Sequence, residues 1–174
     1  SAGLAEEILK AIPALAALWL ANDSRKRLAE GRPQLEGYWQ NLQLRGPLDG
    51  VMLGAASGVA FIAEETLFGQ ANYYLNTFSK NFEMSKNQGA AWLEALQLTI
   101  PRVLEGVAGH VGYAMLAGYF IGLAAIRPKA QLKLVGIGIV VATIPHGLWD
   151  FIAFTGGGYI ALAAIAMLAT VAAL

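Results

Sequence analysis

Two histidines and a few carboxylates sit inside sequence that is otherwise rich in Leu, Ile, Val, Ala and Gly, and their spacing groups them. Glu6 and Glu7 precede Lys10 by four and three residues, so on a helix either acid can pair with that ammonium. Phe61 and Glu65 are four apart, as are His146 and Asp150, so the Asp150 carboxylate can orient the His146 imidazole. His110 stands alone in "EGVAGHVGYAM". A carboxylate can serve as general base on a water, and imidazoles can donate to a developing oxyanion. Two histidines and a carboxylate can alternatively hold a catalytic zinc with one position left for water. The usual short His spacing on one helix is absent, so Glu7, Glu65, His110 and His146 would have to meet in space to form such a site. Cysteine is absent, which excludes disulfides, thiolate nucleophiles and thiolate zinc sites. Ser57 has no histidine near it in sequence. Hydrolysis by activated water is the chemistry these side chains offer.

The elements that carry them are apolar and long. Hydrophobic residues make up 56% of the 174 and charged residues 14%, against roughly a quarter charged in soluble domains. The net charge is zero, so nothing points to nucleic acid. Five stretches approach or exceed the roughly 20 residues that cross a bilayer: 3–21, 48–69, 99–126, 132–154 and 159–174. The last three have almost no polar face, which a soluble bundle would need. The fold class expected is all-α: a polytopic transmembrane helix bundle of about five spans, forming a single membrane-embedded domain over 1–174. The N-terminal residues lack the basic region of a signal peptide and carry acids where its apolar core would begin. The chain starts and stops inside apolar sequence, so it reads as a fragment, with further spans expected before Ser1.

Charge distribution orients the spans. Connection 22–47 holds Arg25, Lys26, Arg27, Arg32 and Arg45. The turn 127–131 holds Arg127 and Lys129, with Lys133 just beyond. Connection 70–98 has only Lys80 and Lys86. By the positive-inside rule, 22–47 and 127–131 are cytoplasmic and 70–98 is external. Tyr73, Tyr74, Phe78, Phe82 and Trp92 suit interfacial helices in that external segment. Glu6, Glu7, Glu65, His146 and Asp150 then fall in the outer part of their spans. His110, eleven residues into its span, lies about 16 Å down. Ionisable groups are costly in a bilayer and usually functional, and here four spans bring them to neighbouring depths. Gly50, Gly54 and Gly58 form one small-residue stripe, and Gly106, His110, Ala114, Gly118 and Gly122 form another; such stripes let membrane helices approach closely.

These motifs resemble the PrsW-type intramembrane proteases, relatives of the CAAX-processing and bacteriocin-processing membrane proteases. "EEILK" at Glu6 to Lys10 is similar to the family's EExxK. "FIAEE", ending at Glu65, is similar to FxxxE. The span around His110 resembles the one bearing the family's lone histidine, and "HGLWD" at His146 to Asp150 is similar to HxxxD. Each motif alone is weak; four in order on separate spans are fairly specific. The resemblance implies a membrane-embedded endopeptidase, glutamic-type or metal-dependent, in a prokaryotic plasma membrane. It would cut a membrane-anchored protein near the outer face; the best-known members cut an anti-sigma factor there. The residues implied are Glu6, Glu7, Glu65, His110 and His146, supported by Lys10, Phe61 and Asp150, with Glu7 as the base by motif position. If a metal is used, zinc is the one expected. Two departures stand out. Thr66 follows Glu65 where many relatives have Asn, and connection 70–98 is long. An ion- or proton-coupled carrier is the competing class, since buried Glu, His and Lys also build relays. No internal repeat supports it, and the acids gather in one layer instead of lining a path. A non-catalytic subunit that keeps the scaffold is the third reading.

Overall fold

The structure, a computed structural model, describes residues 2–154; the expected fifth span, 159–174, lies outside the described residues. Every described element is helical. The first, α1, runs Ala2–Ala29, about 42 Å at 1.5 Å per residue. It continues past the expected end at Ala21 into "NDSRKRLA" because Asp23 and Arg27 pair one turn apart. Gly31, at φ 65°, takes the left-handed conformation that commonly ends a helix. A short α2 (Tyr38–Asn41) follows. Then α3 (Pro47–Glu64) begins with proline at its first turn, where the missing N–H costs nothing.

From α3 the chain passes through a π-helical segment, Glu65–Gln70, into α4 (Ala71–Ser85). After a tight turn, α5 (Gln88–Gly106) leads through a second π-helical segment, Val107–Val111, into α6 (Gly112–Ile126). A single 3-10 turn, Pro128–Ala130, connects to α7 (Gln131–Phe154). The segment expected as interfacial helices is thus an α4–α5 hairpin, pinned by Phe78 against Trp92 at 4.6 Å between ring centroids.

Among the described residues, three helical stretches are long and apolar enough to cross a membrane: Pro47–Gly69, Val107–Ile126 and Pro128–Phe151. Two match the expected second and fourth spans closely. The third begins eight residues later than expected, because α5 carries the polar residues that precede it. The first helix does not qualify on composition, since its two carboxylates, its ammonium and the charged end of α1 dilute its apolar content. Leu9, Ile12 and Trp19 on α1, and Met52 and Val59 on α3, are nevertheless more than half exposed, a surface suited to lipid.

Packing centres on α6, which contacts α1, α3 and α7. The small-residue stripes expected from the sequence face each other across α3 and α6. A Cβ at Gly50 would overlap the Gly118 carbonyl, and one at Gly54 the Ala114 carbonyl. On α1 the buried residues are Gly3, Glu7, Lys10, Ala11, Ala14, Ala17, Leu18 and Ala21, one stripe at helical spacing. Its lower part joins Leu44, Ile121, Ala124 and Ala125 in the apolar core. The acid and the ammonium therefore sit on the same buried face as the alanines.

Candidate active site

The head of α1 meets the second half of α7 and the π-helical segments that flank the α4–α5 hairpin. Gly3 packs against His146 and Gly147, where a Cβ would sit in ordinary contact at 3.5 Å. Glu7 and Lys10 form an ion pair three residues apart, both fully buried. The pair does not stop there. Glu7 Oε1 lies 2.7 Å from His146 Nδ1, and Lys10 Nζ lies 3.0 Å from His110 Nδ1. One acid and one base on α1 thus hold the Nδ1 atoms of both histidines, 139 and 100 residues away in sequence. Buried charges are costly unless paired and hydrogen-bonded, and this four-residue chain supplies that. Glu7 Oε2 has no hydrogen-bond partner among the described residues.

With their Nδ1 atoms held, the imidazoles present Nε2 to a second set of acids. His146 Nε2 is 3.4 Å from Glu6 Oε2 and 3.7 Å from Asp150 Oδ1. His110 Nε2 is 3.3 Å from Glu65 Oε2, and His110 Nδ1 is 4.0 Å from Glu6 Oε2. These carboxylates are about a quarter to a third exposed, while Glu7 is sealed. Glu6, His110 and His146 each offer a ligand atom within 4.8 Å of the others.

Rings fix the cluster. His110 and His146 meet edge to face at 5.0 Å and 84°. Phe61 lies against His110 at 5.4 Å, and Lys10 Nζ sits 5.0 Å from the Phe61 centroid, a cation–π contact. Tyr113, buried, stacks on His146 at 5.3 Å and 18°. Tyr113 was not among the residues singled out, although it follows His110 by one helical turn and so shares its face.

All eight residues singled out from the sequence lie in this cluster, while Glu64, next to Glu65, is exposed. Two relations differ from expectation. The carboxylate on His146 Nδ1 belongs to Glu7, whereas Asp150 faces Nε2. Of the two acids within reach of Lys10, Glu7 takes the ammonium, and Glu6 turns toward the histidines. Both Glu65 and His110 stand on π-helical turns. An extra residue per turn re-aims the side chains that follow, and such turns are frequent at functional sites.

Residues 1–174 match the PrsW family of intramembrane metalloproteases throughout. The chain belongs to the PrsW family. Together with its apolar helices, membership makes it an integral membrane protein. One curated PrsW relative, Protease PrsW of Shouchella clausii (strain KSM-K16), is 24% identical over 127 residues, 73% of this chain and 49% of the relative. The chain therefore spans about half the length of that PrsW protein. No solved structure matches it.

Proposed function

We propose that this chain carries the hydrolytic centre of a membrane-embedded endopeptidase that cuts a membrane-anchored protein, and that Glu6, Glu65, His110 and His146 act on water and the scissile carbonyl. The observation that carries the reading is the convergence of Glu6, His110 and His146 within 4.8 Å in an otherwise apolar bundle. The donor set fits a divalent metal of the zinc type: two imidazoles and a carboxylate leave a position for water. Glu6, His110 and His146 would hold it, with Asp150 beside His146. Zinc held there would lower the pKa of a bound water and polarise a carbonyl.

The remaining work falls to the protein. Glu65, next to His110 Nε2 and a third exposed, is placed to take a proton from water and return it to the leaving amine. Glu7 is too buried to meet substrate. It accepts the His146 Nδ1 proton, which leaves the Nε2 lone pair facing Glu6; a carboxylate behind a ligating histidine also raises its basicity. Lys10 pairs with Glu7 and so keeps that carboxylate oriented. The base assigned from the motif, Glu7, is thus better suited to positioning, and Glu65 to proton transfer.

One contact favours a second reading. If Lys10 donates to His110 Nδ1, the neutral ring carries its proton on Nε2 and donates to Glu65. His110 would then steady a carboxylate or an oxyanion without binding a metal, and the carboxylates alone would activate water. Cleavage of a membrane-anchored reporter by the full-length protein in liposomes separates the two. Loss on chelation with recovery on adding zinc supports the metal form. Full activity in chelator, with loss in Glu65→Gln, supports the glutamate form. Native-rate cleavage by Glu65→Gln, with or without chelator, contradicts both.

A further inference from the structure

The opposite end of the bundle contains a cavity of about 530 Å³ between the last turns of α1, the connection to α3 and the end of α6. From Glu7 to Arg25 is about 27 Å along α1, close to the thickness of a bilayer's hydrocarbon core, so this cavity is remote from the catalytic cluster. Its polar wall carries Arg25, Arg45, Gln34 and Gln43, and its apolar wall carries Leu28 and Ile126. No carboxylate lines it among the described residues.

The polar wall is held in place. Arg25 donates to the Ala125 carbonyl at the end of α6 and to Asn22, and Ser24 donates to Gln34 at 3.0 Å. Arg45 donates to Asp49 from Nε at 2.9 Å. Asp49, by its hydrogen bond first and its charge second, holds the Arg45 guanidinium above its ordinary pKa. A guanidinium has five N–H donors; Asp49 takes the Nε/Nη2 edge of Arg45, and Arg25 gives one bond from each Nη, which leaves further N–H donors on both groups among the described contacts. Around the cavity, segments 22–49 and 127–133 carry eight Lys and Arg against four Asp and Glu. Tyr38 and Trp39 are more than half exposed beside them on α2, as in an aromatic belt at headgroup depth.

We propose that this cavity binds the phosphodiester headgroup of an anionic phospholipid, with the remaining N–H groups of Arg25 and Arg45 on the phosphate and the acyl chains against Leu28 and Ile126. A phosphate between two guanidiniums gains charge-assisted hydrogen bonds. Basic pockets between membrane helices at the cytoplasmic side are suited to anionic lipid. A zwitterionic headgroup would bring its own cation toward the same guanidiniums. The site does not depend on the hydrolytic reading.

The test uses the full chain in neutral detergent and native mass spectrometry, with phosphatidylglycerol, phosphatidylcholine and inorganic phosphate as separate probes. Phosphatidylglycerol should bind about tenfold more tightly than phosphatidylcholine, and Arg45→Gln should remove most of that preference. Arg25 also caps α6, so Arg25→Lys serves as the second variant. It keeps the charge but loses the fork, and should weaken phosphatidylglycerol binding while thermal unfolding shows a folded protein. Equal binding of the two lipids, or full preference in both variants, would overturn the proposal. So would inorganic phosphate that binds as tightly as phosphatidylglycerol, which would mark a soluble phosphate ligand instead.

Discussion

Helix α1 carries acid–base pairs about one turn apart at both ends, and the two ends behave differently. Glu7 and Lys10 at its head are three residues apart and sealed among the histidines. Asp23 and Arg27, then Lys26 and Glu30, are four apart near its tail and partly or largely exposed. Water already stabilises each charge at the tail, so pairing there adds little. At the head the partners must supply what water would, and removing one strands the other. Acid–base pairing about one helical turn apart thus marks a solvated helix face at one end and an obligatory network at the other.

The largest expected effect breaks the head pair. Lys10→Met should leave the Glu7 carboxylate buried without its ammonium, held by His146 Nδ1 alone, costing about 3–5 kcal/mol, read as a large drop in the thermal unfolding temperature in detergent. An intact unfolding temperature would mean that the His146 contact alone suffices for Glu7. Next comes the seam that positions α6. Gly54→Ala should cost about 1–3 kcal/mol, because the new methyl meets the Ala114 carbonyl and neither backbone can yield cheaply. The double variant Glu7→Leu with Lys10→Met removes both charges and should recover most of the loss from Lys10→Met alone. It should not recover cleavage, because His146 Nδ1 loses its acceptor. The smallest effect is at the tail: Lys26→Met should change stability by less than about 1 kcal/mol.

Much of this contrast was legible in the sequence. Apolar flanks on every motif made the carboxylates and histidines stand out as buried, and the three- and four-residue spacings limited their partners. Three things were not legible. Lys10 is within helical reach of both Glu6 and Glu7, so local spacing cannot choose between them. The choice comes from α1 burying its alanine stripe against α6, which carries Glu7 and Lys10 inward together. The same packing brings Glu7 to His146 Nδ1, a contact across 139 residues, ahead of the local Asp150 that spacing suggested. The π-helical turns at Glu65 and His110 have no local marker, since periodicity is read at 3.6 residues per turn, and an extra residue shows only where α3 and α6 are seen to dock. The α4–α5 hairpin was legible as aromatic and interfacial, but its closure by Phe78 and Trp92 is a tertiary contact.

The central claim is that the buried network at the head of α1 serves a hydrolytic site and the tail pairs do not. Cleavage of a membrane-anchored reporter by the full-length protein in liposomes tests it most directly, with native protein compared against His146→Ala and Lys26→Met. The account predicts that His146→Ala loses at least about two orders of magnitude in rate while remaining inserted and folded, and that Lys26→Met cleaves as the native protein does. Native-rate cleavage by His146→Ala would contradict it and leave the cluster a structural ion network.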